Sequence, residues 1–172
     1  MEKKLLFLIL FAFGLNAYCQ PTIKIYAFEQ ENLPGTIPSG VTDENGNPIK
    51  KAAAKKNYSI FLSFKKNEIV TPVQIFIRGQ VFPIQTTEIK KTPVEYLNNM
   101  IPAKPEKIIL VPKTNNKVVE VKLGDTLMQK RKNAYIKKLL KNNDVVIAYL
   151  WKGKKYFTAA KKIKELEPVA NE

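Results

Sequence analysis

The sequence predicts a mainly β protein: a single antiparallel β-sandwich of the immunoglobulin-like kind, or a partly open barrel. One amphipathic helix is expected near residues 127–141, and an α+β layering is the alternative. Three observations predict this. Short segments alternate apolar and polar residues with the period of two that a half-buried strand requires. Clusters of Pro, Gly and Asn separate those segments at spacings that suit turns, not crossover helices. Only one stretch, late in the chain, keeps helical spacing.

The first nineteen residues stand apart. Met1-Glu2-Lys3-Lys4 is a short positive start, Leu5 to Leu15 is an uncharged apolar run, and Asn16-Ala17-Tyr18-Cys19 ends it with small and polar residues. That order is the grammar of a secretory signal peptide, and the run is shorter than the roughly 20 residues of a spanning helix. Ala17 and Cys19 suit the small-residue positions before a signal-peptidase cut. A lipid anchor at Cys19 is the rival, disfavoured because bulky Tyr18 occupies a place that the lipoprotein signal gives to a small residue. Residues 20–172 are then one β-rich domain, periplasmic or secreted, with a short disordered tail after Pro168.

Along that domain, Thr22 to Phe28 alternates Ile23, Ile25 and Ala27 against Lys24, Tyr26 and Phe28. Glu29 to Lys56 is punctuated by Pro34-Gly35, Pro38, Gly40, Asn45-Gly46 and Pro48, and reads as a long loop region with one short strand near Val41. Tyr58 to Phe64 is a strand with Tyr58, Ile60, Leu62 and Phe64 on one side. Val73–Arg78 and Gln80–Ile84 flank Gly79 as a hairpin, and Pro83 places its second strand at an edge or a bulge. Pro93–Leu97, Lys107–Val111 and Lys117–Leu123 are further strands.

Leu127 to Lys141 carries Leu127, Met128, Tyr135, Ile136, Leu139 and Leu140 at helical spacing, with Thr126 and Gln129 as a capping box. Asp144–Trp151 and Lys154–Ala159 form a second hairpin turning at Lys152-Gly153, and the last strand runs on through Ile163. The run Gly40 to Ile49, with Asp43-Glu44-Asn45-Gly46-Asn47 at its centre, resembles a turn phrase of sandwich domains in exported bacterial proteins, including the regulatory-type domain of carboxypeptidases. That resemblance covers the turn alone; it implies a sandwich and no activity. Its acids do not have the spacing of a calcium loop, because the glycine falls fourth and no glutamate closes the loop. Asp125-Thr126-Leu127 is similar to a three-residue bacterial O-glycan acceptor site, although Thr126 also serves as the helix cap.

Composition narrows the function classes. The chain has no His, one Cys and a formal net charge of +14, which becomes +13 once Glu2, Lys3 and Lys4 are removed. The common nucleophile–base triads and ordinary zinc or copper sites need residues that the mature domain lacks. No cofactor is expected. A carboxylate-based hydrolase remains the least favoured reading. Every basic residue except Arg78 and Arg131 is a lysine, the hydrated point charge that solubilises a surface as readily as it binds phosphate.

The leading expectation is therefore a non-enzymatic envelope module that binds a protein partner. The alternative is a binder of anionic glycan, lipopolysaccharide or nucleic acid through the basic helix. The candidate contacts are Lys130, Arg131, Lys137 and Lys138 on the helix, and Trp151 beside the second hairpin turn. An exposed Trp151 is the anchor a protein partner would seize; a buried one belongs to a core cluster with Tyr149, Tyr156 and Phe157.

Overall fold

The computed structural model describes residues 20–34, 42, 44–47, 54–98, 106–125 and 134–170. Among these residues the strands are β1 (Lys24–Leu33), β2 (Lys55–Phe64), β3 (Val70–Ile77), β4 (Gln80–Ile89), β5 (Val94–Asn98), β6 (Glu106–Val111), β7 (Lys117–Leu123), β8 (Val145–Trp151), β9 (Lys154–Ala160) and β10 (Lys164–Ala170), and helix α1 (Ala134–Asn142) lies between β7 and β8. The protein is mainly β. Eight strands in the order β10-β1-β2-β7-β4-β3-β8-β9 make one curled sheet that forms a half-barrel, and β5 pairs with β6 in a small second sheet. Neighbours run antiparallel except β1 and β10, which are parallel.

Alternation explains the curl. Ala27, Ile60, Leu62, Phe64, Ile75, Ile77, Val121, Val145 and Ile147 face the concave side and pack as one buried core. The opposite faces are covered separately. The small sheet lays Leu110 and Val111 over Phe28, Phe61 and Val118. Helix α1 lays Ile136, Leu139 and Leu140 over Phe76, Val81 and Val146. Strands β1, β2, β3, β4, β7 and β8 therefore present apolar residues on both sides along part of their length, which a covered sheet requires.

Four expectations change. Pro83 lies at neither an edge nor the end of the sheet: β4 pairs with β3 from Gln80 to Pro83 and with β7 from Ile84 to Ile89. The proline falls where the strand exchanges one neighbour for another, and its carbonyl accepts from the Gly124 amide at 2.9 Å. Second, β1 runs on past Phe28 to Leu33, because β2 and β10 both pair with that extension.

Third, residues 164–170 are the strand β10, not a tail, and Pro168 sits in an edge strand, where a missing amide is tolerated. Fourth, the chain turns away after Ala160, so Ile163 belongs to the link that carries it from β9 to β1. The helix is described from Ala134 onward; its expected start, including Thr126, Leu127 and Met128, lies outside the described residues, as does the strand near Val41.

Both two-residue hairpins carry a non-glycine residue with positive φ: Arg78 (43°) before Gly79 (90°), and Lys152 (48°) before Gly153 (72°). Such turns match the twist of the strands and favour Asn or Asp at the first place. A long basic side chain there costs roughly 1 kcal/mol in backbone conformation.

Candidate functional site

Helix α1 divides cleanly. Its Ile136, Leu139 and Leu140 are packed against the sheet, while Lys137, Lys138 and Lys141 are exposed. Tyr135 stands beside Phe157 with ring centroids 5.9 Å apart and edge-to-face. The β8–β9 register puts Phe157 opposite Ala148 and Lys155 opposite Leu150, so Lys155 continues the same outer face. The Lys155 ammonium lies 5.9 Å from the centre of the Phe157 ring. At the far end, the Asp144 amide donates to the Lys161 carbonyl at 3.1 Å, which brings Lys161 and Lys162 to the end of the helix.

Charge on this side is one-sided. Of the lysines in residues 134–162, Lys137, Lys138, Lys141 and Lys155 stand on this outer side with Lys161 and Lys162 at its end, whereas Lys152 and Lys154 line a cleft with Trp151; the single acid of the stretch is Asp144. Asp144 accepts from the Ile163 amide at 3.2 Å, so its carboxylate is engaged in holding the chain link. On the far side of the sheet Lys107 pairs with Glu95 at 2.8 Å and Lys117 with Glu88 at 2.9 Å.

The concave side of the same two strands ends in an aromatic group. Trp151 is only 4% exposed. Its indole N–H donates to the Glu68 carboxylate at 2.7 Å. Tyr156 packs edge-to-face on it at 5.7 Å and lies nearly parallel to Tyr149 at 5.9 Å. Burial, with the neighbouring Tyr156, pushes the Tyr149 phenol above its ordinary pKa, so it stays protonated. The Lys152 ammonium sits 4.5 Å above the centre of the Trp151 ring. Trp151, Lys152, Lys154 and Tyr156 together line a cleft of about 230 Å³.

A second polar centre was not legible in the sequence. Glu29, in β1, is 4% exposed. It receives two hydrogen bonds from Arg78, Nη1 to Oε2 at 2.7 Å and Nη2 to Oε1 at 2.5 Å. Lys56 adds a contact at 3.5 Å. Burial pushes the Glu29 carboxyl up, but Arg78 and Lys56 outweigh it and hold its pKa below the ordinary carboxylate value. Arg78 is raised in turn, first by its hydrogen bond to Glu29. Every oxygen and nitrogen of this arrangement that points inward is bonded, which suits a structural clasp. The adjoining hollow of about 170 Å³ is lined by Glu29, Glu31, Lys56 and Glu165 among others.

Of the five candidate contacts, Lys137 and Lys138 lie together on the exposed side of α1, and Trp151 is buried on the opposite side of the sheet. Lys130 and Arg131 lie outside the described residues. Lys152 and Lys154 were missed as members of a cleft. The signal for Lys152 was present: a lysine occupies a turn position that favours Asn. Glu165 and Glu167 stand on β10, exposed as anticipated, though in a strand. Among the described residues no cluster of three or more acidic, His or Cys side chains is placed to hold a metal ion, and no helix is long and apolar enough to cross a membrane. No protein-family model matches the sequence, and no curated protein is significantly similar to it.

Proposed function

We propose that this chain is an exported, envelope-associated binding module that holds an anionic glycan on the lysine-bearing face of α1 and β9. The carrying observation is the group of exposed lysines on that face, Lys137, Lys138, Lys141 and Lys155 with Lys161 and Lys162 at its end, beside Asp144, the single acid of residues 134–162, which is already hydrogen-bonded to the backbone. A field of one sign draws a polyanion in and is screened by salt. The signal-like order of residues 1–19 supports export.

Two features favour a glycan over the other partners considered. Arg78 is tied to Glu29, so among the described residues no arginine fork is left to grip phosphate on both sides. Trp151, the anchor a protein partner would use, is covered. The test is retention on immobilised polygalacturonate over a sodium chloride gradient. The wild-type protein should elute late, and the Lys137→Glu/Lys138→Glu variant should elute at markedly lower salt. Equal elution of the two proteins refutes the proposal.

A further inference from the structure

The large sheet ends in β10 on one side and β9 on the other, and only the first end is guarded. Strand β10 holds Glu165, Glu167 and Pro168, and its register with β1 shifts between Gln30 and Asn32. Proline, charge and a bulge are the devices that make an edge unfit for pairing. Strand β9 has none of them at its centre. It pairs with β8 from Lys154 to Ala160 without a shift, and Tyr156 to Ala160 contains no charge, proline or glycine. Among the described residues no strand pairs with its other side. The hairpin settles which backbone groups face that side. The two-residue turn at Lys152-Gly153 makes Trp151 and Lys154 a hydrogen-bonded pair. Bonded and non-bonded pairs then alternate, so the amides and carbonyls of Lys155, Phe157 and Ala159 point away from β8. Half-buried Tyr156 flanks this row on the concave side, beside Tyr149, and half-buried Phe157 flanks it on the outer side, beside Tyr135.

Charge decides what such an edge accepts. Exposed lysines close both ends of the row, Lys154 and Lys155 at the turn and Lys161 and Lys162 past Ala160. A second copy pairing through its own β9 brings the same lysines again to one seam, and like charges across a strand pair are destabilising. The β10 of another copy has acids to offer, but Pro168 removes an amide from it. From this geometry we infer that the outward edge of β9 is a docking site for an extended segment of a partner protein, apolar and β-branched at its centre and acidic at both ends. The segment adds to the sheet as a further strand. Backbone bonds to Lys155, Phe157 and Ala159 hold it, its centre lies along Tyr156 and Phe157, and its acids face the terminal lysines. The inference is independent of the glycan reading, which uses side chains of the outer face where this one uses the backbone of the edge.

The probe is the peptide fluoresceinyl-EEVTVTVEE-amide, titrated with the protein at physiological ionic strength and followed by fluorescence anisotropy. Saturable binding is expected. A copy N-methylated at each Val and Thr keeps every charge and side chain but cannot pair as a strand, and it should bind at least about tenfold more weakly. On the protein, Ala159→Pro removes one outward amide and leaves the β8 ladder whole, so it should keep the fold by circular dichroism and weaken binding by a similar factor. The N-methylated copy tests the same point with the protein unaltered. Equal affinity for the two peptides overturns the inference, because charge alone then accounts for the capture and the edge is one more surface for a polyanion. Absence of binding overturns it as well. A protein that sediments as a dimer and ignores the peptide does so by giving the edge to a second copy.

Discussion

The Arg78 guanidinium, at the β3–β4 turn, closes on the buried Glu29 carboxylate of β1 with two hydrogen bonds of 2.7 and 2.5 Å. In the sheet β1 and β3 are separated by β2, β7 and β4, so the contact spans the hollow of the half-barrel and does not run along neighbouring strands. The same turn is tied a second time, because the Arg78 amide donates to the Asp144 carbonyl at 2.7 Å. This pair of side chains thus bridges the two sides of the curled sheet, beside the buried core they share.

Arg78→Ala leaves a covered carboxylate with Lys56 as its remaining cationic partner. Alanine keeps the β-carbon and so the strain of the positive φ, and Arg78 is 41% exposed, which discounts the pair for screening. A loss of about 2 kcal/mol is expected. Urea denaturation followed by circular dichroism checks it; a change under about 0.5 kcal/mol would show that the clasp is ornamental.

Because Glu29 titrates below its ordinary pKa in the folded chain, it contributes stability above the unfolded-state value. That contribution is lost as pH falls through the lower folded value. Thermal melting between pH 7 and pH 3 should therefore drop less steeply in Glu29→Gln than in the wild-type protein. Parallel curves would place the acid sensitivity elsewhere.

A β-carbon added at Gly124 would meet Cγ of Pro83 at 2.9 Å. The proline ring cannot swing aside as a flexible chain would, so Gly124→Ala should destabilise by about 1–3 kcal/mol. In contrast, a β-carbon at Gly153 meets nothing within 4 Å. There the cost comes from the positive φ, and Gly153→Ala should cost about 1 kcal/mol. Guanidinium melts of the two variants separate steric from conformational cost.

Glu68→Leu removes the acceptor of the Trp151 N–H. An orphaned donor in a covered site costs about 1–3 kcal/mol. The sole tryptophan makes the local effect visible as a change in emission at low denaturant, and an unchanged spectrum with unchanged stability would contradict the bond.

Ile147 is fully buried in the concave core, whereas Lys138 stands on the exposed side of α1. Ile147→Ala should cost about 2–5 kcal/mol, and Lys138→Ala less than about 0.5 kcal/mol. Paired denaturation curves test the assignment of inner and outer faces.

Strands β2, β3, β8 and β9 were legible because Ile60 and Leu62, Ile75 and Ile77, and Val145 and Ile147 repeat every second residue, and Gly79 and Gly153 mark their turns. What escaped was set by distant partners. Glu29 continues the phase of Ile25 and Ala27, yet a charged residue before a Pro- and Gly-rich stretch reads as a loop until Arg78 is seen to neutralise it. Strand β10 contains Pro168 and two glutamates, which local propensity disfavours; it exists because β1 offers an edge to pair with. The lysines of α1 were legible as a polar stripe. The cleft was not, since Lys152 and Lys154 meet Trp151 and Tyr156 only after the hairpin closes.

Strand β4 gives its first half to β3 and its second to β7. The segment beneath the helix and the segment beneath the small sheet consequently share a backbone: neither can melt and leave the other's ladder intact. The molecule should lose its protected amides in one concerted step, and the residues on either side of Pro83 should open to solvent at the same rate.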